Sequence, residues 1–227
     1  MINFFKYLEI NKNWSLFKKT WRFLVSTTAL FLAIFLTLIY VDVVVLSEIY
    51  ESFNIIYLLF TLVSFLIVLL LILGFTRIVL DLLSDKKVQR DDLFSQSSNL
   101  PDFFVATSVY VVLGIIGIFL LIVPGVYFIT RYYFYGIVLI DKGYGPIESL
   151  KYASRLSKGF RWQIFVLLLL LISINIFGVL LLGLGILVSL PISILVSVNL
   201  YKKLSDRINK EDDGTLIRDG YDKIYKK

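Results

Sequence analysis

Six apolar runs alternate with polar connectors along the chain, at 21–41, 53–75, 103–123, 126–140, 163–182 and 186–201. Each run is apolar over most of its length and carries its polar residues mainly at its ends, the pattern of a membrane span. At 1.5 Å rise per residue, about 20 residues cross a bilayer core of about 30 Å. The fourth run, about 22 Å long as a helix, is the shortest. Trp21 and Tyr40 mark the two interfaces of the first run, and Pro124 with Gly125 separates the third run from the fourth. Gly183-Leu184-Gly185 supplies the turn before the sixth run, which carries Pro191 in its first half. The pattern predicts an all-α integral membrane protein, with six transmembrane helices and short interfacial helices.

The flanking segments read differently. Residues 1–20 lack the apolar core and cleavage site of a secretory signal peptide. Tyr7, Ile10, Trp14 and Phe17 recur there at helical spacing among Lys6, Lys12, Lys18 and Lys19, which predicts an interfacial amphipathic leader. Residues 81–102 form a polar loop in which Asp91-Asp92-Leu93-Phe94 is suited to a short turn of helix. The connector from Asp141 to Trp162 predicts a short helix over Pro146 to Lys158. Gly145 ends the element before it, Pro146 suits a first helical position, Glu148 sits near the positive end, and Gly159 suits the C-terminal cap. Ile147, Leu150, Ala153, Ser154 and Ser157 are expected on its membrane face, with Lys151, Arg155 and Lys158 turned toward anionic headgroups. Residues 202–227 are expected to be a charged, solvated tail in the cytoplasm.

With 58% hydrophobic and 18% charged residues, 227 residues cannot hide their apolar surface in a soluble fold. The chain has neither cysteine nor histidine. Disulfides, thiolate metal sites and cysteine nucleophiles are therefore excluded, as is every reaction that needs an imidazole. No glycine-rich phosphate loop and no paired carboxylates beside a nucleophile are present, so no enzyme activity and no cofactor are expected.

The net charge of +6 is informative through its distribution. Lys and Arg occupy the leader, the 77–90 connector, the 142–161 connector and the tail, whereas the other three connectors have none. This alternation predicts both termini on the cytoplasmic side of a cytoplasmic membrane. Membrane lipids, including anionic headgroups of the inner leaflet, are the expected partners, together with another membrane protein; nucleic acid is not. Apart from Arg22 at the very start of the first run, Arg131 is the one charge inside a predicted span, about 9 Å along the helix from Gly125. Two placements fit it: snorkelling to the outer headgroups, or turning inward between Tyr127 and Tyr135, with Asp42 or a lipid phosphate as counter-charge. Ser189, Ser193 and Ser197 share one face of the sixth run, and Asn175 lies near the middle of the fifth. They suit helix packing first and a polar transport path second.

PGVYFITRYYF, VLIDKGYGPIESLKYASRLSKGFRW and the glycine-bearing run to LLLGLGILVSLP carry a family likeness. From about Leu93 to Tyr201 the chain resembles the membrane domain found ahead of some glycerophosphodiester phosphodiesterases, and its stand-alone bacterial relatives of the YciC type. The resemblance implies a bacterial membrane domain alone, because the associated catalytic barrel uses histidine and metal-binding carboxylates. The motif that carries it is Pro124-Gly125, Arg131, Asp141, Gly145-Pro146, Gly159 and an aromatic at Trp162, which are candidate functional or structural positions. The expected function is non-enzymatic organisation of lipids or of other membrane proteins, and the rival expectation is a small transporter or channel with a polar path near Arg131 and Asn175.

Overall fold

The computed structural model describes residues 10–45, 55–120, 122–180 and 185–212. The expectations for Lys6 and Tyr7, for Gly183-Leu184 and for the tail past Asp212 concern positions outside these residues. All regular structure among them is helical: α1 (Ile10–Tyr40), α2 (Ile55–Leu82), α3 (Leu100–Leu120), α4 (Ile122–Tyr132), α5 (Tyr135–Lys142), α6 (Pro146–Leu156), α7 (Arg161–Leu180) and α8 (Ile186–Asp212). Six stretches are helical, long and apolar enough to cross a membrane, the fourth running from Val123 to Lys142 through α4 and α5. The chain is an all-α, multi-pass membrane protein.

Hydrogen bonding explains why the spans tolerate their hydroxyls. In hydrocarbon each polar group needs a partner inside the protein. The hydroxyls of Thr27 and Thr28, both fully buried, donate to the carbonyls of Phe23 and Leu24 one turn back at 2.8 Å. Thr76 and Thr130 bond in the same way to Ile72 and Val126.

Several predicted boundaries move, each for a physical reason. From Ile10 onward the leader is not a separate interfacial helix but the first part of α1. Its Phe17 is buried because α1 packs along α8. The first part of the tail likewise continues α8, and Leu204, Ser205 and Ile208 are buried, so residues 202–212 belong to the bundle. In the 81–102 loop the expected turn is a 3-10 helix, Arg90–Phe94, whose Leu93 is fully buried; the backbone of Leu93 fills the space a side chain on Gly74 would need.

Pro124 and Gly125 do not end a span. They lie in the first turn of α4, where the missing N–H of proline has no intrahelical partner to lose. Their role is in the α3–α4 hairpin: a Cβ on Gly117 would stand 2.7 Å from the Cα of Gly125, so the two helices touch backbone to backbone. The predicted fourth span is also discontinuous, broken at Tyr133 and Phe134. There the Tyr133 hydroxyl meets Ser197 Oγ at 2.7 Å, and the fully buried Phe134 ring lies 6.3 Å from that of Tyr201, both partners being on α8.

A left-handed Gly143 (φ 65°) stops α5, its N–H donating to the carbonyl of Leu139. Gly145 therefore does not end the element before it, as its place ahead of proline suggests, because the left-handed turn comes two residues earlier; it is the extended cap of α6, and Pro146 takes the first helical position as predicted. The helix ends at Leu156 rather than Lys158, and Gly159 (φ 86°) serves the turn that follows.

The glycine contacts generate a stability prediction. Gly117→Ala and Gly125→Ala should each lower stability by about 1–3 kcal/mol, the usual cost of overpacking. Gly114→Ala meets only an ordinary contact, 3.7 Å from Ile129 Cγ1, and should be neutral or stabilising because alanine favours the helix. Thermal melting of the three variants in one detergent checks the contrast, and equal effects at the three positions would refute it.

Candidate functional site

The connector helix α6 organises the site. Ser149, Leu150, Ala153 and Leu156 are buried, at the i, i+1, i+4 and i+7 spacing of one helix face. Ile147, expected on that face, is 53% exposed instead. The buried stripe is therefore turned toward Leu156, because α6 packs on α5 and α3 as well as on α4 and α8. Lys151, Arg155 and Lys158 all remain exposed on the other side.

Arg131 faces this helix. Its Nε donates to Ser154 Oγ at 2.7 Å, and its guanidinium carbon lies 5.1 Å from the ring centre of Tyr132 and 5.9 Å from that of Tyr127. A second guanidinium shares the Tyr127 ring: Arg161, at the start of α7, stands 4.5 Å from its centre and donates through Nη1 to the Tyr127 hydroxyl at 2.8 Å. Arg131 thus sits beside the 142–161 connector and the first residue of α7.

Two expected companions of Arg131 lie elsewhere. Asp42 accepts from the Thr61 hydroxyl at 2.8 Å, bridging the end of α1 to α2. Tyr135 does not share a face with Arg131, because the helix is interrupted between them. Its hydroxyl meets Thr107 Oγ1 at 2.9 Å, and its ring packs against Phe103 and Tyr110. Asp141 accepts from Tyr201, whose side chain is fully buried, at 2.7 Å. Trp162 is 71% exposed and lies against Phe165.

Two further features surround the site. A cavity of about 440 Å³ lies between α6, the 157–160 turn and α8. Arg155, Lys158 and Arg207 line it, and Arg207 also stands 5.1 Å from the ring centre of Phe160. Between α7 and α8, Asn175 donates to Ser193 Oγ at 2.8 Å and accepts from Ser189 at 2.9 Å, so these side chains join the two helices, and Asn175, Ser193 and Ser197 also line a cavity beside them. No group of three or more metal-ligating side chains occurs among the described residues.

Sequence reading misses the contributions of Arg161 and Arg207, taken only as flanking charges, and of Tyr133. The stop falls at Gly143, two residues before the glycine that the sequence reading takes for it, although Lys142 followed by glycine is a common helix terminus. The place of Tyr127 beside Arg131 follows from their four-residue spacing, whereas its contact with Arg161 joins residues far apart in the chain.

That shared ring carries its own prediction. Tyr127→Phe keeps the stacking surface and loses one hydrogen bond, for a cost of about 0.5–1.5 kcal/mol. Tyr127→Leu also loses two cation–π contacts, each worth about 0.5–2 kcal/mol, and should melt distinctly below the phenylalanine variant. Equal melting temperatures for the two would show that the ring does not hold the guanidiniums.

In comparisons with protein-family models, with curated protein sequences and with solved structures, the chain finds no match.

Proposed function

We propose that this is a non-enzymatic protein of the bacterial cytoplasmic membrane, with both termini inside, that gathers anionic lipids and thereby organises its membrane neighbourhood. The observation that carries the reading is the mounting of α6. Its buried stripe fastens the helix to the bundle, so Lys151, Arg155 and Lys158 are presented on a rigid support rather than a mobile loop. A fixed cationic face at the membrane surface attracts anionic headgroups by about 1 kcal/mol per charge.

A transporter reading draws on a different observation. Cavities of about 420 and 240 Å³ both include Tyr133, Ile194 and Ser197 in their walls, and the Tyr133–Ser197 hydrogen bond lies at that shared wall. Lipid gathering is favoured, because the larger cavity is walled mainly by Leu, Ile and Val side chains, which give a polar solute few partners.

The test is lipid composition around the full chain. Extracted in native-lipid particles, the wild type should be enriched in anionic over zwitterionic phospholipid relative to the whole membrane. Lys151→Gln, Arg155→Gln and Lys158→Gln together should remove most of that enrichment, at about five-fold in affinity per charge and so about a hundredfold for the three. An unchanged lipid profile in the triple variant would refute the proposal, and substrate-dependent flux in vesicles, abolished by Tyr133→Phe, would favour transport.

A further inference from the structure

A second cavity beside α6, of about 400 Å³, opens between α3, α4 and the connector helix, a volume within the usual range of about 300–1,000 Å³ for small-molecule sites. Its chemistry is divided. Val109 and Leu113 of α3 with Ile147 of α6 give it an apolar wall, while Arg131, Lys151 and Ser154 give it a polar end. No carboxylate belongs to the lining, and neither cation forms an ion pair among the described residues. Two uncompensated positive charges next to an apolar slot in a membrane protein are complementary to one kind of occupant, an amphiphile with an anionic head.

Arg131 is pre-positioned for a phosphate. Its Nε is already engaged by Ser154 at 2.7 Å, and its guanidinium plane is flanked by Tyr132 and Tyr127. The terminal NH₂ groups make no hydrogen bond among the described residues. A guanidinium held in this way presents paired donors that match two phosphate oxygens, and its rotamer entropy is already spent on Ser154 and the rings. Lys151, one turn before Ser154 on the same helix, adds a mobile point charge at the rim.

We infer that the slot between α3, α4 and α6 binds one anionic phospholipid, its phosphate on Arg131 and Lys151 and an acyl chain along Val109, Leu113 and Ile147. The inference rests on the lipid-gathering reading above and narrows it from a charged surface to a one-to-one site. It gives Ser154, at the polar end of the slot, the role of a positioning residue: its hydroxyl accepts from Arg131 Nε and sets the angle of the guanidinium that holds the phosphate.

The experiment is native mass spectrometry of the delipidated full chain, titrated with phosphatidylglycerol, with phosphatidylcholine and with inorganic phosphate. The wild type should hold one phosphatidylglycerol about tenfold more tightly than phosphatidylcholine, and inorganic phosphate in excess should not displace it, because the chain contributes to binding. Arg131→Gln should lose about tenfold in phosphatidylglycerol affinity, and Lys151→Gln, at an exposed position with little risk to folding, several-fold. Ser154→Ala should weaken binding while leaving the fold intact, and Arg131→Lys should recover only part of the loss. The double variant Arg155→Gln, Lys158→Gln should keep the one-to-one complex. If the Arg131 and Lys151 variants bind like wild type while that double variant does not, the slot is refuted and the cationic-face reading survives. Displacement by inorganic phosphate would refute a lipid as the ligand. No preference of the wild type for the anionic lipid would overturn both readings.

Discussion

A guanidinium packed among apolar helices has to be solvated by something, because a charge taken out of water without partners is costly. The middle of this chain is arranged around that requirement. Arg131 reaches Ser154 only because α4 runs back along α3, which the contact of Gly117 with Gly125 permits, and because α6 is turned onto α4 after the left-handed Gly143. Tyr127 and Tyr132 then cover the guanidinium with ring faces, a form of solvation that needs no water. Each of these features is local, but none has a purpose without the others.

The rest of the bundle meets its polar demands more simply. Threonine and serine hydroxyls bond to carbonyls of their own helix, and Asn175 joins α7 to α8 through Ser189 and Ser193. Such bonds satisfy buried groups at modest gain and do not create sites. The cations around α6 form the contrast. Arg131 and Arg161 are fixed by hydrogen bonds and rings, whereas Lys151 and Lys158 are exposed and make no ion pair among the described residues. Fixed and mobile charges side by side suit recognition of a headgroup in which one phosphate is held and its surroundings vary.

Much of the fold was legible before any coordinates. The spans are runs of apolar residues too long for a soluble core, and the polar connectors, the start of α6 at Gly145-Pro146 and the exposure of Lys151, Arg155 and Lys158 all follow from residue type and spacing. These are local properties, decided within a turn or two by backbone hydrogen bonding and the absence of water in the bilayer.

What only the tertiary structure decided is which faces and which residues meet. α2, α3 and α7 are apolar on all sides, so hydropathy carries no signal for the buried face, and close approach at glycines such as Gly74, Gly117 and Gly125 settles it instead. The continuation of α8 into the charged 202–212 segment is compensated by burial of Leu204 and Ile208, which charge counting along the chain does not register. The break at Tyr133 and Phe134 depends on partners on α8 more than sixty residues away. The sequence by itself determined a helical, multi-pass membrane protein with a cationic connector. Packing, which joins residues distant in the chain, decided that Arg131 would turn to Ser154 and share Tyr127 with Arg161.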